Sequence, residues 1–123
     1  MRPKTKGQIE AEISDAIIKF EKEYMGRGPL ETKTYLIDDL ILVRLKGVLT
    51  QAEHQLSRAS KQSSGRELIK QVRITLLENG RPLLESAIES LTGKKVISLH
   101  TDISTVTGER MIIFTLQGPP EFA

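Results

Sequence analysis

Five basic side chains, Arg58, Lys61, Arg66, Lys70 and Arg73, cluster in the middle of the chain and form its clearest chemical pattern. Arg66, Lys70 and Arg73 are spaced four and three apart, so on a helix they share one face, and Arg81 extends it. A stripe of that kind suits acidic partners, phosphate groups or an anionic lipid surface. The plainer reading is a solvated helix face. A second pattern, Gly26-Arg27-Gly28-Pro29, poses the choice between a phosphate cradle and a tight corner. A cradle presents backbone N–H groups at the start of a helix. Here the glycines close a helix, where the dipole is negative, and Pro29 removes a donor. The pattern therefore reads as a corner, with Arg27 placed either to hold an anion or to cap free carbonyls. A third, Ser98, His100 and Asp102, alternates along one side of a strand, and His54 is the other histidine. Acid–base catalysis or a metal would need further ligands, so this reads as a polar strand face. No catalytic set, metal site or cofactor is assigned, and a non-enzyme is expected.

These side chains have to be positioned by a single domain of 123 residues. A chain of this size buries roughly two-thirds of its unfolded surface, enough for a core without staples. With no cysteine, disulfides and thiolate metal sites are excluded. No apolar run reaches the length of a membrane span. The N-terminal stretch lacks the apolar run of a secretory signal, so a cytoplasmic location is expected. The net charge of +2 is unevenly spread: residues 44–73 hold seven basic and two acidic side chains. Aromatic residues make up 4% of the chain and tryptophan is absent, which leaves little for stacking bases.

The first element reads as a helix, with Ile9, Ile13, Ala16, Ile17, Phe20 and Tyr24 as its apolar stripe and Glu10, Glu12, Asp15, Lys19, Glu21 and Lys22 on other faces. Gly26 is the left-handed stop and Pro29 prevents resumption. Residues 32–46 read as a hairpin around Asp38-Asp39. In its second strand Ile41, Val43 and Leu45 share one face and Leu40, Leu42 and Arg44 the other, which predicts a strand that is central or covered on both sides. Thr50 and Glu53 form a capping box, with Leu49 at the staple position, opening a short helix over about 51–59. Residues 57–66 read as a polar loop. A long helical region over 66–92 follows, with Leu68, Ile69, Val72 and Leu76 as its first apolar face and Leu83, Leu84, Ala87, Ile88 and Leu91 as its second. Gly80 and Pro82 are expected to kink or divide it, Gly93 to cap it, and Glu85 and Glu89 to lie on a solvated face. A second hairpin around residues 105–109 completes the order α-β-β-α-α-β-β. In it Ile97, Leu99, Thr101 and Ile103 form the buried face. The ordered core runs over about 8–117, with 118–123 as a loose tail. The expected fold is α+β, a four-stranded antiparallel sheet of two hairpins with helices on one face.

Most of this chain, from the first helix to the last strand, resembles the MpsC-like family, a bacterial domain family of largely unassigned function. Its name associates it with a Na+-translocating, membrane-potential-generating system. The residues that carry the resemblance are Gly26-Arg27-Gly28-Pro29, Leu49-Thr50 with Glu53, Arg73, Glu89 with Leu91-Thr92-Gly93, and Asp102. The resemblance implies an accessory or regulatory interaction domain, without transferable catalytic residues, beside the cytoplasmic face of a transport complex. The two-sided apolarity of residues 40–45 adds the expectation of a homodimer. An ion pair of Arg73 or Arg27 with Asp102 would explain these polar positions structurally, and the same argument covers Arg44. The alternative is a small-anion or nucleic-acid binding domain that uses the basic helix face.

Overall fold

The computed structural model describes residues 4–59 and 64–123. Helix α1 (Lys6–Tyr24) starts at a capping box, in which the Thr5 hydroxyl accepts from the Gln8 N–H and the Gln8 side chain accepts from the Thr5 N–H. Strands β1 (Glu31–Ile37) and β2 (Leu40–Lys46) follow, then α2 (Gln51–Ala59), α3 (Ser64–Thr92), β3 (Val96–Ile103) and β4 (Arg110–Leu116). The strands form one antiparallel sheet in the order β1-β2-β4-β3, so the fold is the expected α+β arrangement. Among the described residues no helix is long and apolar enough to cross a membrane.

Strand parity defines the core. Ile41, Val43 and Leu45 of β2 pair across the sheet with Phe114, Ile112 and Arg110 of β4, and all six side chains are buried. Helix α1 contributes Ile9, Ile13, Ile17 and Phe20 to the same layer. Burying these branched side chains against one another is the main driving force, at about 25 cal/mol per Å² of apolar surface. Strand β2 is central, as its composition predicts, but it is buried on one side only. On the other side Leu40 is exposed and Leu42 half-buried, because the helices occupy a single face of the sheet. In β3 a bulge between Val96 and Ser98 turns Ile97 outward, 62% exposed, whereas Ile103 stays inside.

The corner at Gly26 forms as expected, with Met25 as the cap and Gly26 at φ +82°. The long helical region starts at Ser64, inside the stretch read as a loop, and continues through Pro82 as one helix, so of the two expected outcomes, a kink or a division, the division does not occur. Pro82 and Glu78 are both exposed, so water can satisfy the carbonyl that proline's missing N–H leaves free. Its inner stripe is Ile69, Arg73, Leu77, Leu84 and Ile88, while Leu68, Val72 and Leu83 face solvent. Beyond β4, Pro120 is buried and the Ala123 N–H donates to the Lys4 carbonyl.

Gly80 lies where α1 and α3 meet. A methyl group there would sit 2.5 Å from Phe20 Cε2 and 3.1 Å from Tyr24 Cδ1. The Phe20 and Tyr24 rings are themselves stacked, with centroids 4.9 Å apart, so neither ring is free to yield. Gly80→Ala is expected to destabilise by about 1–2 kcal/mol, because overpacking outweighs the gain of about 1 kcal/mol in helix propensity. Urea unfolding checks this, and in a Phe20→Leu background the same change should be close to neutral.

Candidate functional site

Arg73 is only 3% exposed, although it sits among charged neighbours on a long helix. Its register on α3 is the reason: it lies four residues after Ile69 and four before Leu77, both in the core. Its guanidinium grips Glu53 of α2 with two bonds, Nη2 to Oε1 at 2.6 Å and Nε to Oε2 at 3.0 Å. Nη2 also donates to the Val48 carbonyl at 2.8 Å. On its far side Nη1 stands 3.7 Å from Oε2 of Glu21 on α1. The other oxygen of Glu21 accepts from Arg110 of β4 at 3.4 Å, and Arg110 Nε donates to the Thr101 hydroxyl at 3.1 Å. Two cations and two anions from three helices and one strand thus form a neutral cluster inside the fold. Glu21 is 0% and Arg110 2% exposed.

The two carboxylates sit in opposite electrostatic situations. Burial pushes the Glu21 carboxyl above the ordinary carboxylate range, and the positive charges of Arg110 and Arg73 only partly offset this. Burial also pushes Glu53 upward, but the hydrogen bonds from Arg73 and Thr50 outweigh it, so its pKa lies below the ordinary value. Glu53 is also the returning half of the capping box, since the Thr50 N–H donates to Oε1 at 2.9 Å and the Glu53 N–H to the Thr50 hydroxyl at 3.2 Å. One carboxylate therefore starts α2 and anchors α3. The Gly26–Pro29 corner joins the same framework, because Arg27 donates to the Leu49 carbonyl at 3.0 Å just before that cap.

The basic side chains do not assemble into one exposed stripe. Arg73 points inward, Lys70 pairs with Asp102 at 3.2 Å, and Arg81 pairs with Glu85 at 2.6 Å and Glu78 at 3.5 Å. Arg58 and Arg66 are exposed, and Lys61 lies outside the described residues. The expected pairing of Asp102 with Arg73 or Arg27 is replaced by Lys70. The Asp102 carboxylate also accepts from the Ile103 N–H, and that bond, against a smaller cost of burial, holds its pKa low. Arg44 pairs with Glu109 at 2.7 Å. Among the described residues no group of three His, Asp or Glu side chains is arranged to hold a metal ion.

Glu89, expected on a solvated face, accepts from the Val96 N–H at 2.9 Å, at the start of edge strand β3. Glu10 of α1 accepts from the Leu36 N–H at 2.8 Å on the opposite edge strand, β1. Helix carboxylates thus occupy backbone donors on both edges, a device that discourages further strand addition. The open face of the sheet has no such cover. There Tyr35, Leu42 and Ile113 stand in register with His100, next to Ile37 and Leu40 on one side and Met111 on the other. Glu21 and Arg110 were absent from the sequence-derived candidates, although both fall on inward positions of their elements.

A family model described as Na+-translocating membrane potential-generating system (MpsC) matches residues 5–118, which include every member of the cluster. The uncharacterized protein YbcI of Bacillus subtilis (strain 168) is 48% identical over 113 residues, covering 92% of this chain and 89% of that protein. The uncharacterized protein YrhF of the same organism is 29% identical over 93 residues, covering 75% of this chain and 74% of that protein. No solved structure matches the chain.

Removing one partner of a buried pair leaves the other charge uncompensated, so Arg73→Met is expected to destabilise by about 3–5 kcal/mol. Glu53→Gln should lose about 2–3 kcal/mol at neutral pH through its hydrogen bonds to a charged group. Because the folded-state pKa of Glu53 is depressed, its contribution is present above the ordinary carboxylate value and is lost as pH falls through the lowered one. Glu21 acts in the opposite sense, its raised pKa lowering stability as pH rises from the ordinary value through the raised one. Urea midpoints of wild type and Glu53→Gln, measured from neutral to strongly acidic pH, should therefore converge at the acid end.

Proposed function

Since the chain belongs to the MpsC family, we propose that it is a non-enzymatic interaction domain, active in the cytoplasm as an accessory to a membrane ion-transport complex, and paired with a second copy of itself. The observation that carries this reading is the open sheet face, where Tyr35, Ile37, Leu40, Leu42, Met111 and Ile113 form an apolar centre on paired strands. Two copies related by a two-fold axis bring the same residues together, as an isologous interface requires. Twisted antiparallel sheets pack face to face in this way at a spacing of about 10 Å. The occupied edges favour face pairing over strand addition.

The accessory role draws on the family's description and on the absence, among the described residues, of a helix able to cross a membrane. Ion passage is then the work of a partner. The alternative, an anion or nucleic-acid site on the basic face of α3, has less to draw on, because Arg73, Lys70 and Arg81 are already matched by carboxylates.

Sedimentation velocity tests the self-pairing. The wild-type chain is expected to sediment as a dimer at high micromolar concentration. Leu42→Lys and Ile113→Lys should each give a monomer with an unchanged circular dichroism spectrum. A wild-type monomer at that concentration overturns the pairing.

A further inference from the structure

Between α1 and α3 lies an open groove of about 640 Å³, with no strand residue in its lining. Phe20, Leu84, Ala87 and Leu91 contribute its apolar lining, and the small side chains of Ala16 and Ala87 deepen it. Leu83 stands at its border, 55% exposed. The wall formed by α1 carries Glu12, Asp15, Lys19 and Glu23, which share one helix face at steps of three and four. The facing wall carries the hydroxyls of Ser86 and Ser90. Glu12 is held by Lys4 at 2.6 Å, whereas Asp15 and Glu23 have no ion-pair partner among the described residues. A chain with net charge +2 thus presents, along this apolar groove, a wall on which three carboxylates outnumber one cation, Lys19. From Glu12 to Glu23 the wall is about 17 Å long, or three helical turns.

That chemistry selects the occupant. An anionic membrane surface or a nucleic acid would be repelled by that wall. A second copy inserting another of its surfaces here would make a head-to-tail contact, which builds rings or open filaments rather than a two-fold pair. An amphipathic helix whose apolar stripe is flanked by Lys and Arg matches both lining and wall. Segments of that charge are abundant on the cytoplasmic side of membrane proteins. We propose that the α1–α3 groove receives a basic amphipathic helix of about three turns from a membrane-protein partner, with its cations against Asp15 and Glu23. The proposal rests on the accessory reading above and names the surface that serves it.

The test uses the full chain and a fluorescein-labelled helical peptide of about 14 residues with a leucine face flanked by lysines. Anisotropy should show saturable binding that weakens at high salt. Asp15→Lys/Glu23→Lys should weaken it about tenfold or more, equivalent to about 1.4 kcal/mol or more. Amide shifts in ¹⁵N-labelled protein should change along α1 and α3, and a leucine–glutamate peptide should leave them unmoved. Equal binding by wild type and the double variant, shifts confined to the sheet face, or no saturable binding would overturn the groove assignment. Sedimentation of the same samples separates the two readings. A dimer that fails to bind the peptide overturns the groove alone, whereas a monomer that binds it in the groove overturns the self-pairing and supports the groove.

Discussion

An arginine in a packed interior has to be matched there, because an isolated buried charge is far more costly than any single apolar contact is favourable. In this protein Arg73 meets that condition by drawing on separate elements: the bidentate carboxylate of Glu53, the carbonyl of Val48 and the nearby charge of Glu21. Glu21 in turn faces Arg110 on the central strand β4. The positions of α1, α2, α3 and the sheet are therefore coupled, since shifting any one of them exposes an unmatched charge. A purely apolar core tolerates sliding more readily, because its contacts are not directional.

The cluster has one loose point. Oε2 of Glu21 and Nη1 of Arg73 are buried, face one another at 3.7 Å and make no hydrogen bond. This fits the raised pKa of Glu21, whose charge is compensated at a distance instead of by short hydrogen bonds. Glu53 shows the contrasting case, in which directed hydrogen bonds outweigh the penalty of burial. The difference follows from burial and contacts: Glu53 is partly exposed and accepts two hydrogen bonds from Arg73 besides the one from the Thr50 N–H, whereas Glu21 is fully buried and accepts one long bond from Arg110.

With its interior fixed by charge matching, the domain leaves apolar character on the open sheet face and in the groove of the helix layer. The sheet is buried by helices on one side only, and helix carboxylates occupy donors at both of its edges. The helix layer carries the other surface, the groove between α1 and α3. They share no residue and differ in electrostatics, so the proposed pairing with a second copy and the proposed capture of a basic helix do not compete for the same side chains.

The order and type of the elements were legible in the residues themselves. Helical spacing marked Ile9, Ile13 and Ile17, two-residue alternation marked Ile41, Val43 and Leu45, and Thr50 with Glu53 marked a helix start, because each is a local periodicity or a local hydrogen bond. Inward register was also legible for two charges: Glu21, which the sequence reading placed on another face of its helix although it is fully buried, and Arg110, which that reading passed over. Glu21 continues the four-residue steps of Ile9, Ile13 and Ile17, and Arg110 precedes Ile112, Phe114 and Leu116 at steps of two. Which charges pair, and which carboxylates bind strand edges, was decided only by the tertiary structure. Arg73 lies 20 residues from Glu53, and Arg110 lies 89 from Glu21. No local spacing encodes such pairings, because they depend on how the sheet order β1-β2-β4-β3 carries separate elements into contact.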